Sequence, residues 1–260
     1  MNTQEILQLL QDVAEDVINP RFRSLSREQV DEKHPGDLVT VADREAEERL
    51  TEALSRAYPH ALVLGEEATH TDKGLVSRFR AADHAFTIDL VDGTKNFVSG
   101  SKDHAVMVAE LRGGEVVRSW IWQPQHDTAY VAERGLGAWR NGQRLVRPPV
   151  GAALRGVTSR RRWIGRSLDG LAPLELTWVC CGVDYPKVVE GAADYLVYGG
   201  TQPWDHAPGS LLLAEAGAFL GTFEGGPYRP QAEPPAGLLG AADRATYERL
   251  RPLVQALPGR

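Results

Sequence analysis

Hydrophobic residues recur at helical spacing in two stretches of the first sixty residues. Apolar side chains three or four residues apart predict an amphipathic helix over residues 4–18, which Asn19-Pro20 would end. A second stripe predicts a helix that begins near Asp43 and ends before Pro59. The two stripes consist of Ile6, Leu9, Leu10, Val13 and Val17 in the first helix, and of Ala46, Leu50, Ala53, Leu54 and Ala57 in the second.

Strand patterns dominate the next part of the chain. Residues 61–64 form a short apolar run, and residues 85–91 form a longer one that polar side chains interrupt. Turn signals separate five further segments that predict an antiparallel meander, at 104–111, 116–122, 128–133, 137–140 and 143–146. We therefore expect an antiparallel sheet in the first half of the chain.

Helical and strand patterns alternate after Pro148-Pro149, which predicts α/β layering. The proline pair marks a seam, so we expect one domain over 1–260 with subdomains of about 1–147 and 148–260. The predicted elements are strands near 156–159, 174–181, 193–197 and 238–241, and helices near 184–191, from Pro208 to Ala216 and from about Ala245.

Composition excludes several classes of function. The chain is 42% hydrophobic and 25% charged with a net charge of −6, which argues against binding to a nucleic-acid polymer. The N-terminus lacks the basic start and apolar run of a signal peptide, and no 18 consecutive residues are apolar, so we expect a cytoplasmic protein without a membrane partner. Cys180 and Cys181 are the only cysteines and offer no disulfide framework; we expect them to be small strand residues.

The candidate chemistry begins where the apolar run over residues 85–91 carries two carboxylates into a turn. Asp89 and Asp92 lie at the end of this predicted buried strand, followed by Gly93. Unpaired buried charges cost several kcal/mol, so a cation is expected beside them. The Val91 carbonyl could add a third oxygen, and oxygen ligands suit Mg²⁺ or Mn²⁺ rather than zinc. Thr94 places a hydroxyl just past the turn.

Other interpretations of this stretch can be tested by spacing. An EF-hand loop that starts at Asp89 would need glycine and glutamate where the chain has Thr94 and Gly100, so this interpretation fails. The haloacid-dehalogenase phosphatases have their second aspartate two places after the first, whereas three places separate Asp89 from Asp92. A plain turn at Asp92-Gly93 stays open.

Three more acids lie at the ends of predicted elements. Glu66 follows the run at 61–64 and could meet Asp89, because strand ends can lie side by side in a sheet. Asp43 and Asp205 lie at predicted helix starts, where capping is the simpler explanation. The basic run 160–162 is either a solvated loop or an anion-recognition loop. His206 is not expected as a ligand, because a hard oxygen site does not call for imidazole.

The acids occur in four sequence motifs, and the order of these motifs along the chain is informative. The chain resembles the inositol monophosphatase family over nearly its whole length. The motifs are D-L-V-T-V-A-D at 37–43, G-E-E at 65–67, D-L-V-D-G-T-K-N-F at 89–97 and W-D-H-A-P-G-S-L-L-L-A-E-A-G-A at 204–218. The resemblance implies an α/β fold, a layered α-β-α-β-α sandwich, with a homodimer and inhibition by lithium.

The resemblance also implies roles for single residues. It implies that metal is held by Glu66, Asp89, the Val91 carbonyl, Asp92 and Asp205. Thr94 and Asp43 would orient and deprotonate the attacking water, with Glu66 also catalytic. Gly93, Thr94 and Asp205 would contact the substrate, and Tyr198 occupies a place where inositol-specific members carry a glutamate. Leu90 and Cys180-Cys181 depart from the family pattern.

These implications define the expected reaction. We expect an Mg²⁺-dependent phosphomonoester hydrolase that uses two or three ions, accepts Mn²⁺ as a substitute and acts on a small phosphorylated metabolite by in-line attack of metal-activated water. The alternatives are a 3′(2′),5′-bisphosphate nucleotidase, a histidinol-phosphatase or a non-catalytic phosphate-ligand binder. Tyr198 lacks the charge of a carboxylate, so inositol 1-phosphate is expected to be a poor substrate.

Overall fold

The computed structural model describes residues 1–151 and 153–257. The helices in these ranges are α1 (Thr3–Val13), α2 (Val41–Ala57), α3 (Glu66–Thr71), α4 (Leu75–Ala81), α5 (Thr94–Val98), α6 (Cys181–Val189), α7 (Pro203–Glu215) and α8 (Arg244–Gln255). The strands are β1 (Val30–His34), β2 (Asp37–Thr40), β3 (Leu62–Gly65), β4 (His84–Asp92), β5 (Ala105–Arg112), β6 (Glu115–Gln123), β7 (Thr128–Glu133), β8 (Gly137–Arg140), β9 (Gln143–Leu145), β10 (Gly156–Thr158), β11 (Glu175–Leu176), β12 (Tyr195–Tyr198), β13 (Phe219–Thr222) and β14 (Leu238–Ala241).

The first two helices form where the hydrophobic spacing predicts them. Asn2 and Glu5 make a capping box at the start of α1, in which each side chain accepts from the other residue's backbone N–H. The helical backbone continues through a π-helical segment, Ala14–Ile18, and a 3₁₀ turn, Asn19–Arg21, and the chain becomes extended at Phe22. The predictions of helices over residues 4–18 and from near Asp43 are confirmed.

A seven-stranded sheet contains the predicted meander. Its strand order is β3-β4-β5-β6-β7-β8-β9, with β3 parallel to β4 and every other neighbour antiparallel. Strand β4 is buried along almost its whole length. A parallel pair brings the carboxyl ends of its two strands to the same edge of a sheet, so β3 and β4 end together.

Side chains alternate between the two faces of this sheet. Phe86, Ile88 and Leu90 of β4 belong to the core under α1 and α2. Ala85 points the other way, into a core with Tyr185 of α6 and residues of α7. The position of Asp89, an even number of residues after Ala85, therefore directs its carboxylate toward the α6 and α7 side.

A second sheet covers the other side of α6 and α7. Its order is β11-β10-β12-β14-β13, and Leu196 and Leu238 pack into the same core as the two helices. The opposite face of this sheet packs on α8 through Tyr247 and Leu250. Two helix layers, two sheets and a final helix thus alternate, which confirms the predicted α-β-α-β-α sandwich. Among the described residues, no helix is both long and apolar enough to cross a bilayer.

Four details of the second half and of the Glu66 loop were predicted incorrectly. Only Glu175–Leu176 of the predicted strand 174–181 pairs in a sheet, because Val179 has a left-handed backbone and Cys181 already begins α6. Helix α7 begins at Pro203 rather than Pro208, since proline fits the first helical position. Strand β13 was not predicted, and Glu66 begins a short helix rather than a loop.

Close packing between α6 and α7 depends on Gly209. A Cβ atom at this position would lie 2.0 Å from the Tyr185 ring, which is fully buried. We therefore predict that Gly209→Ala lowers the free energy of unfolding by about 1–3 kcal/mol, the usual cost of overpacking a core. Urea denaturation measures this loss. Gly151→Ala is the control, since nothing lies within 4 Å of its Cβ position, and equal stability of both variants would contradict the tight helix crossing.

Candidate active site

A β-bulge at the end of β4 turns Asp89 and Asp92 toward the same layer of the fold. Asp89 pairs with Met107 and Asp92 with Ala105, so β4 advances three residues while β5 advances two. Residues three apart in a regular strand point to opposite faces, and the extra residue of a bulge changes that relation. Asp92 reaches α6, where its carboxylate accepts a hydrogen bond of 2.6 Å from the Gly182 N–H.

Strand pairing and helix α7 bring two further acids to Asp89. Gly65 pairs with Ile88 in the parallel β3-β4 ladder, so Glu66 comes alongside Asp89 as the chain leaves the sheet. Asp205 lies in the first turn of α7, and carboxylate oxygens of Glu66, Asp89 and Asp205 all lie within 4.8 Å of one another. The expectation that Glu66 meets Asp89 at neighbouring strand ends is confirmed. We refer to Glu66, Asp89, Asp92 and Asp205 as the acidic cluster.

The acidic cluster is short of positive charge. Burial raises the pKa of Asp89 well above its ordinary value, and repulsion from Glu66 and Asp92 raises it further. Burial also raises the pKa of Asp205, and repulsion from Glu66 again adds to the effect. Among the described residues the cluster forms one ion pair with a lysine or arginine, at 2.5 Å between Lys33 Nζ and Glu66 Oε1.

Lys33 is a site residue that sequence reasoning missed. Its ammonium also lies 2.8 Å from Glu67, and although burial lowers its pKa, Glu66 and Glu67 outweigh this and hold the pKa above its ordinary value. One lysine shared by two glutamates cannot balance the other carboxylates. Hard carboxylate oxygens with unbalanced charge are the donors that Mg²⁺ and Ca²⁺ prefer, so this donor set fits a divalent cation.

Asp92 joins the two halves of the chain through its carboxylate. The Cys180 thiol donates to the same oxygen that accepts from the Gly182 N–H, at a sulfur–oxygen distance of 2.9 Å. Burial raises the pKa of Asp92 to about 6, and these two hydrogen bonds limit the rise. The departure from the family pattern at Cys180 therefore places a thiol donor on Asp92. Gly182 is required for close approach, because a Cβ atom there would lie 2.4 Å from that of Ala105.

Asp43 serves the helix and the site with different oxygens. Its Oδ2 accepts from the N–H and the hydroxyl of Thr40, which forms a capping box at the start of α2. Its Oδ1 accepts from the Thr94 hydroxyl at 3.2 Å, and the same hydroxyl lies 3.1 Å from the Val91 carbonyl. Burial raises the pKa of Asp43 to about 7. Capping and contact with Thr94 therefore coexist in this residue.

Gly93 makes the turn between the strand and Thr94. Its φ of 81° lies in the left-handed region, which glycine adopts without strain. A Cβ atom there would also lie 2.9 Å from that of Cys180. The turn that Asp92-Gly93 predicts is therefore present. It connects β4 to α5, in which Thr94 is the first residue.

An open cavity of about 290 Å³ lies beside the acidic cluster. Its lining includes Asp92, Lys95, Arg161, Asp184, Tyr198 and Asp205. The Tyr198 hydroxyl donates to Asp184 at 2.5 Å, so the phenol is already engaged. Asp184 is a second residue that sequence reasoning missed. Burial raises its pKa to about 8, and it also accepts from the Trp178 N–H at 2.7 Å.

His206 lies next to Asp205 and uses both of its ring nitrogens. Its Nε2 is 3.0 Å from the Gly200 carbonyl, which can only accept, so Nε2 carries the proton. Its Nδ1 therefore accepts from the Tyr185 hydroxyl at 2.7 Å. Burial lowers the pKa of His206 to about 3, which keeps the ring neutral. Cys181, Asp205 and His206 also form a compact group, but these hydrogen bonds occupy the imidazole.

Comparison with known proteins identifies the family of this chain. A model of the inositol monophosphatase family matches residues 2–258. The chain belongs to this family. The inositol-1-monophosphatase of Mesorhizobium japonicum is 34% identical over 223 residues, which cover 78% of this chain and 82% of that protein. The Nus factor SuhB of Pseudomonas aeruginosa is 32% identical over 221 residues, with 78% of this chain and 80% of that protein covered.

Solved structures agree with the fold. An IMPase/NADP phosphatase complexed with NADP and Ca²⁺ superposes with a TM-score of 0.82 at 21% identity, and the match covers 100% of this chain and 98% of that one. Identity at this level supports the layered architecture alone. The family match assigns the chain to the metal-dependent phosphomonoesterases. The roles of its single site residues stay predictions.

Glu47 is the third site residue that the sequence did not reveal in this phosphatase. Its carboxylate accepts from the N–H groups of Glu67 and Ala68, at 2.9 and 2.7 Å, and so fixes the start of the helix that carries Glu66. Gly65 leaves room for it, because a Cβ atom there would lie 2.3 Å from the Glu47 carboxyl group. The G-E-E motif thus has a structural reason for its glycine.

Charge repulsion in the acidic cluster predicts an unusual effect of Asp89→Asn. This change keeps the side-chain shape and removes one buried charge, so the metal-free phosphatase should gain on the order of 1–3 kcal/mol of stability. Each kcal/mol corresponds to roughly 2–4 °C in Tm for a chain of this size. Addition of Mg²⁺ should raise Tm in the wild type and not in the variant. Thermal unfolding in EDTA and in Mg²⁺ measures both effects.

Asp83→Asn is the matched control for this experiment. Asp83 is exposed just before β4, so its loss should alter neither Tm nor the Mg²⁺ effect. A lower metal-free Tm for Asp89→Asn would contradict the view that the cluster is destabilised by its own charge.

Proposed function

We propose that this phosphatase hydrolyses the phosphomonoester of a small phosphorylated metabolite with Mg²⁺ as its cofactor. The observation that carries the proposal is the position of the Thr94–Asp43 pair. A hydroxyl bonded to a carboxylate lies beside an acidic cluster short of positive charge, and Asp92 and Asp205 of that cluster line an open cavity. Proton transfer and anion binding can therefore occur at one place.

The acidic cluster and the Val91 carbonyl would hold the metal. Glu66, Asp89, Asp92 and Asp205 supply carboxylate oxygens for two or three ions, with Mn²⁺ as an accepted substitute. Bound divalent cations neutralise a phosphate dianion, lower the pKa of water and stabilise the leaving alkoxide. Lys33 leaves most of the carboxylate charge available for such ions, because its ammonium is directed to Glu66 and Glu67.

Thr94 would move a proton away from the attacking water. Its hydroxyl donates to Asp43, so its lone pairs are free to accept a hydrogen bond from a water molecule. Asp43 can only accept as a carboxylate, and the two donors from Thr40 hold it in place. This geometry supports in-line attack by water, with Gly93, Thr94 and Asp205 as predicted substrate contacts. Glu66 stays a predicted catalytic residue as well as a ligand.

The substrate is proposed only as a class. Relatives of this chain are named as an inositol-1-monophosphatase and as a Nus factor, and these names do not select one metabolite. Tyr198 lines the cavity and its hydroxyl is bound to Asp184, which supports our prediction that inositol 1-phosphate is a poor substrate. A homodimer and sensitivity to lithium are further predictions of the resemblance, and a cytoplasmic location is a prediction from the sequence pattern.

A panel of phosphomonoesters tests the proposed function. Inositol 1-phosphate, fructose 1,6-bisphosphate, histidinol phosphate and adenosine 3′,5′-bisphosphate should be assayed for release of inorganic phosphate with Mg²⁺. We expect turnover of at least one compound, complete loss in EDTA, and recovery on addition of Mg²⁺ or Mn²⁺, because the acidic cluster alone would repel the phosphate. If none is hydrolysed with either metal, the non-catalytic binder is supported instead.

Thr94 can be tested with a matched pair of substitutions. Thr94→Val removes the hydroxyl with little change in shape and should lower kcat by about a hundredfold or more, the scale of losing a group that transfers a proton. Thr94→Ser keeps the hydroxyl and should retain most of the activity. The Mg²⁺-induced rise in Tm should persist in both variants, which would separate proton transfer from metal binding. An unchanged kcat in Thr94→Val would remove Thr94 from the mechanism.

A further inference from the structure

The three consecutive arginines at 160–162 have different environments. Arg160 donates to the Gly199 carbonyl at 3.1 Å, and its guanidinium lies 5.1 Å from the centre of the Trp163 ring. Arg162 also lies over this ring, at 5.7 Å. Arg161 instead lines the cavity beside Asp92 and Asp205. One interpretation, a solvated loop, therefore does not describe all three residues.

Arg160 holds the loop in place and so sets the position of Arg161. The Ser159 N–H donates to the Val197 carbonyl at 3.2 Å, which attaches the loop to β12. A Cβ atom at Gly199 would lie 1.6 Å from the Arg160 Nε, so the guanidinium packs directly on the backbone that follows Tyr198. The loop is thus tied to the strand that delivers Tyr198 to the cavity.

The cavity contains two cationic side chains that are free to bind a ligand. Among the described residues, neither Arg161 nor Lys95 forms an ion pair, and both side chains are exposed at the cavity. The carboxylates of the cavity have other partners. Asp92 accepts a hydrogen bond from Gly182 of α6, and Asp184 accepts from Tyr198 and Trp178. Asp205 lies close to the other carboxylates of the acidic cluster. Besides the hydroxyls of Ser159 and Thr177, two cations remain in the cavity, and these can bind an anion.

We propose that Arg161, assisted by Lys95, binds a second anionic group of the substrate. The inference rests on the proposed phosphatase function and narrows its substrate class to phosphomonoesters that carry another phosphate or a carboxylate. A guanidinium forms two parallel hydrogen bonds to such a group, and a neighbouring ammonium adds a point charge. The reacting phosphate belongs at the acidic cluster, so the second anion occupies the arginine side of the same cavity.

Pairs of substrates that differ by one phosphate isolate this contact. Fructose 1,6-bisphosphate is compared with fructose 1-phosphate and fructose 6-phosphate, and adenosine 3′,5′-bisphosphate with adenosine 3′-monophosphate and adenosine 5′-monophosphate. The readout is the ratio of kcat/KM for the doubly charged compound to that of its better monophosphate. We expect a ratio of about ten to a hundred in the wild-type enzyme for at least one pair, carried mainly by KM.

Arg161→Ala should reduce this ratio by about tenfold to a hundredfold, and Arg161→Lys should restore part of it. Arg162→Ala is the matched control, because it removes the same charge from the next residue, which lies over Trp163, and should leave the ratio unchanged. Raised salt should lower the ratio in the wild type and much less in Arg161→Ala, because the contact is exposed.

The outcomes separate this inference from the proposed function. Hydrolysis with equal efficiency for both members of every pair would overturn the role of Arg161 and leave the phosphatase function standing. An equal fall in the ratio for Arg161→Ala and Arg162→Ala would also overturn it, since general charge rather than one contact would be responsible. Absence of hydrolysis for every compound would overturn both.

Discussion

Repulsion among carboxylates withdrawn from bulk water is the constraint on which this structure depends. Glu66, Asp89, Asp92 and Asp205 come from three different elements; burial raises the pKa of each, and repulsion from Glu66 raises the pKa values of Asp89, Asp92 and Asp205 further. The fold answers this repulsion locally, with Lys33 on Glu66 and with the Gly182 N–H and a thiol on Asp92. These partners leave excess negative charge, which is the reason that a divalent cation fits the site. The unbalanced charge of the acidic cluster thus lowers the stability of the fold at the candidate active site.

The middle helix layer turns two separate sheets into one site. Helices α6 and α7 share a core with both sheets, so Asp92 of the first sheet and Arg161, in the loop after β10 of the second, line one cavity. Glycines set how closely this layer packs: Gly182 against Ala105 of β5 and Gly209 against Tyr185. Larger side chains at these places would separate the layers and with them Asp92 and Asp205. Close packing is therefore a condition for the chemistry.

Several residues of the candidate site make different contacts with different atoms. Asp43 caps α2 with one oxygen and accepts from Thr94 with the other. Glu47 caps the helix that begins with Glu66, and Tyr198 lines the cavity while its hydroxyl binds Asp184. For Asp43 the structure contains both the helix cap and the contact with Thr94, because a carboxylate has two oxygens with room for several donors. For Asp205 the capping explanation was wrong, because Gln202 is the N-cap residue of α7.

The sequence by itself determined the elements whose signal is local. Hydrophobic spacing placed α1, α2 and the meander, since periodicity reflects which face of a helix or strand is buried. The acids at the carboxyl ends of strands β3 and β4 were identified from the apolar runs before them, and four motifs in order were sufficient for the family. The tertiary structure decided what depends on distant partners. The bulge that turns Asp89 and Asp92 together is set by pairing with β5, and Lys33, Glu47 and Asp184 gain meaning only from residues far away in the chain. Most of the apolar run 174–181 does not form the predicted strand, because Val179 has a left-handed backbone. The three arginines at 160–162 differ in environment because Arg160 and Arg162 lie over the Trp163 ring. Local sequence carries no record of such contacts, because their free energy comes from groups that only folding brings together.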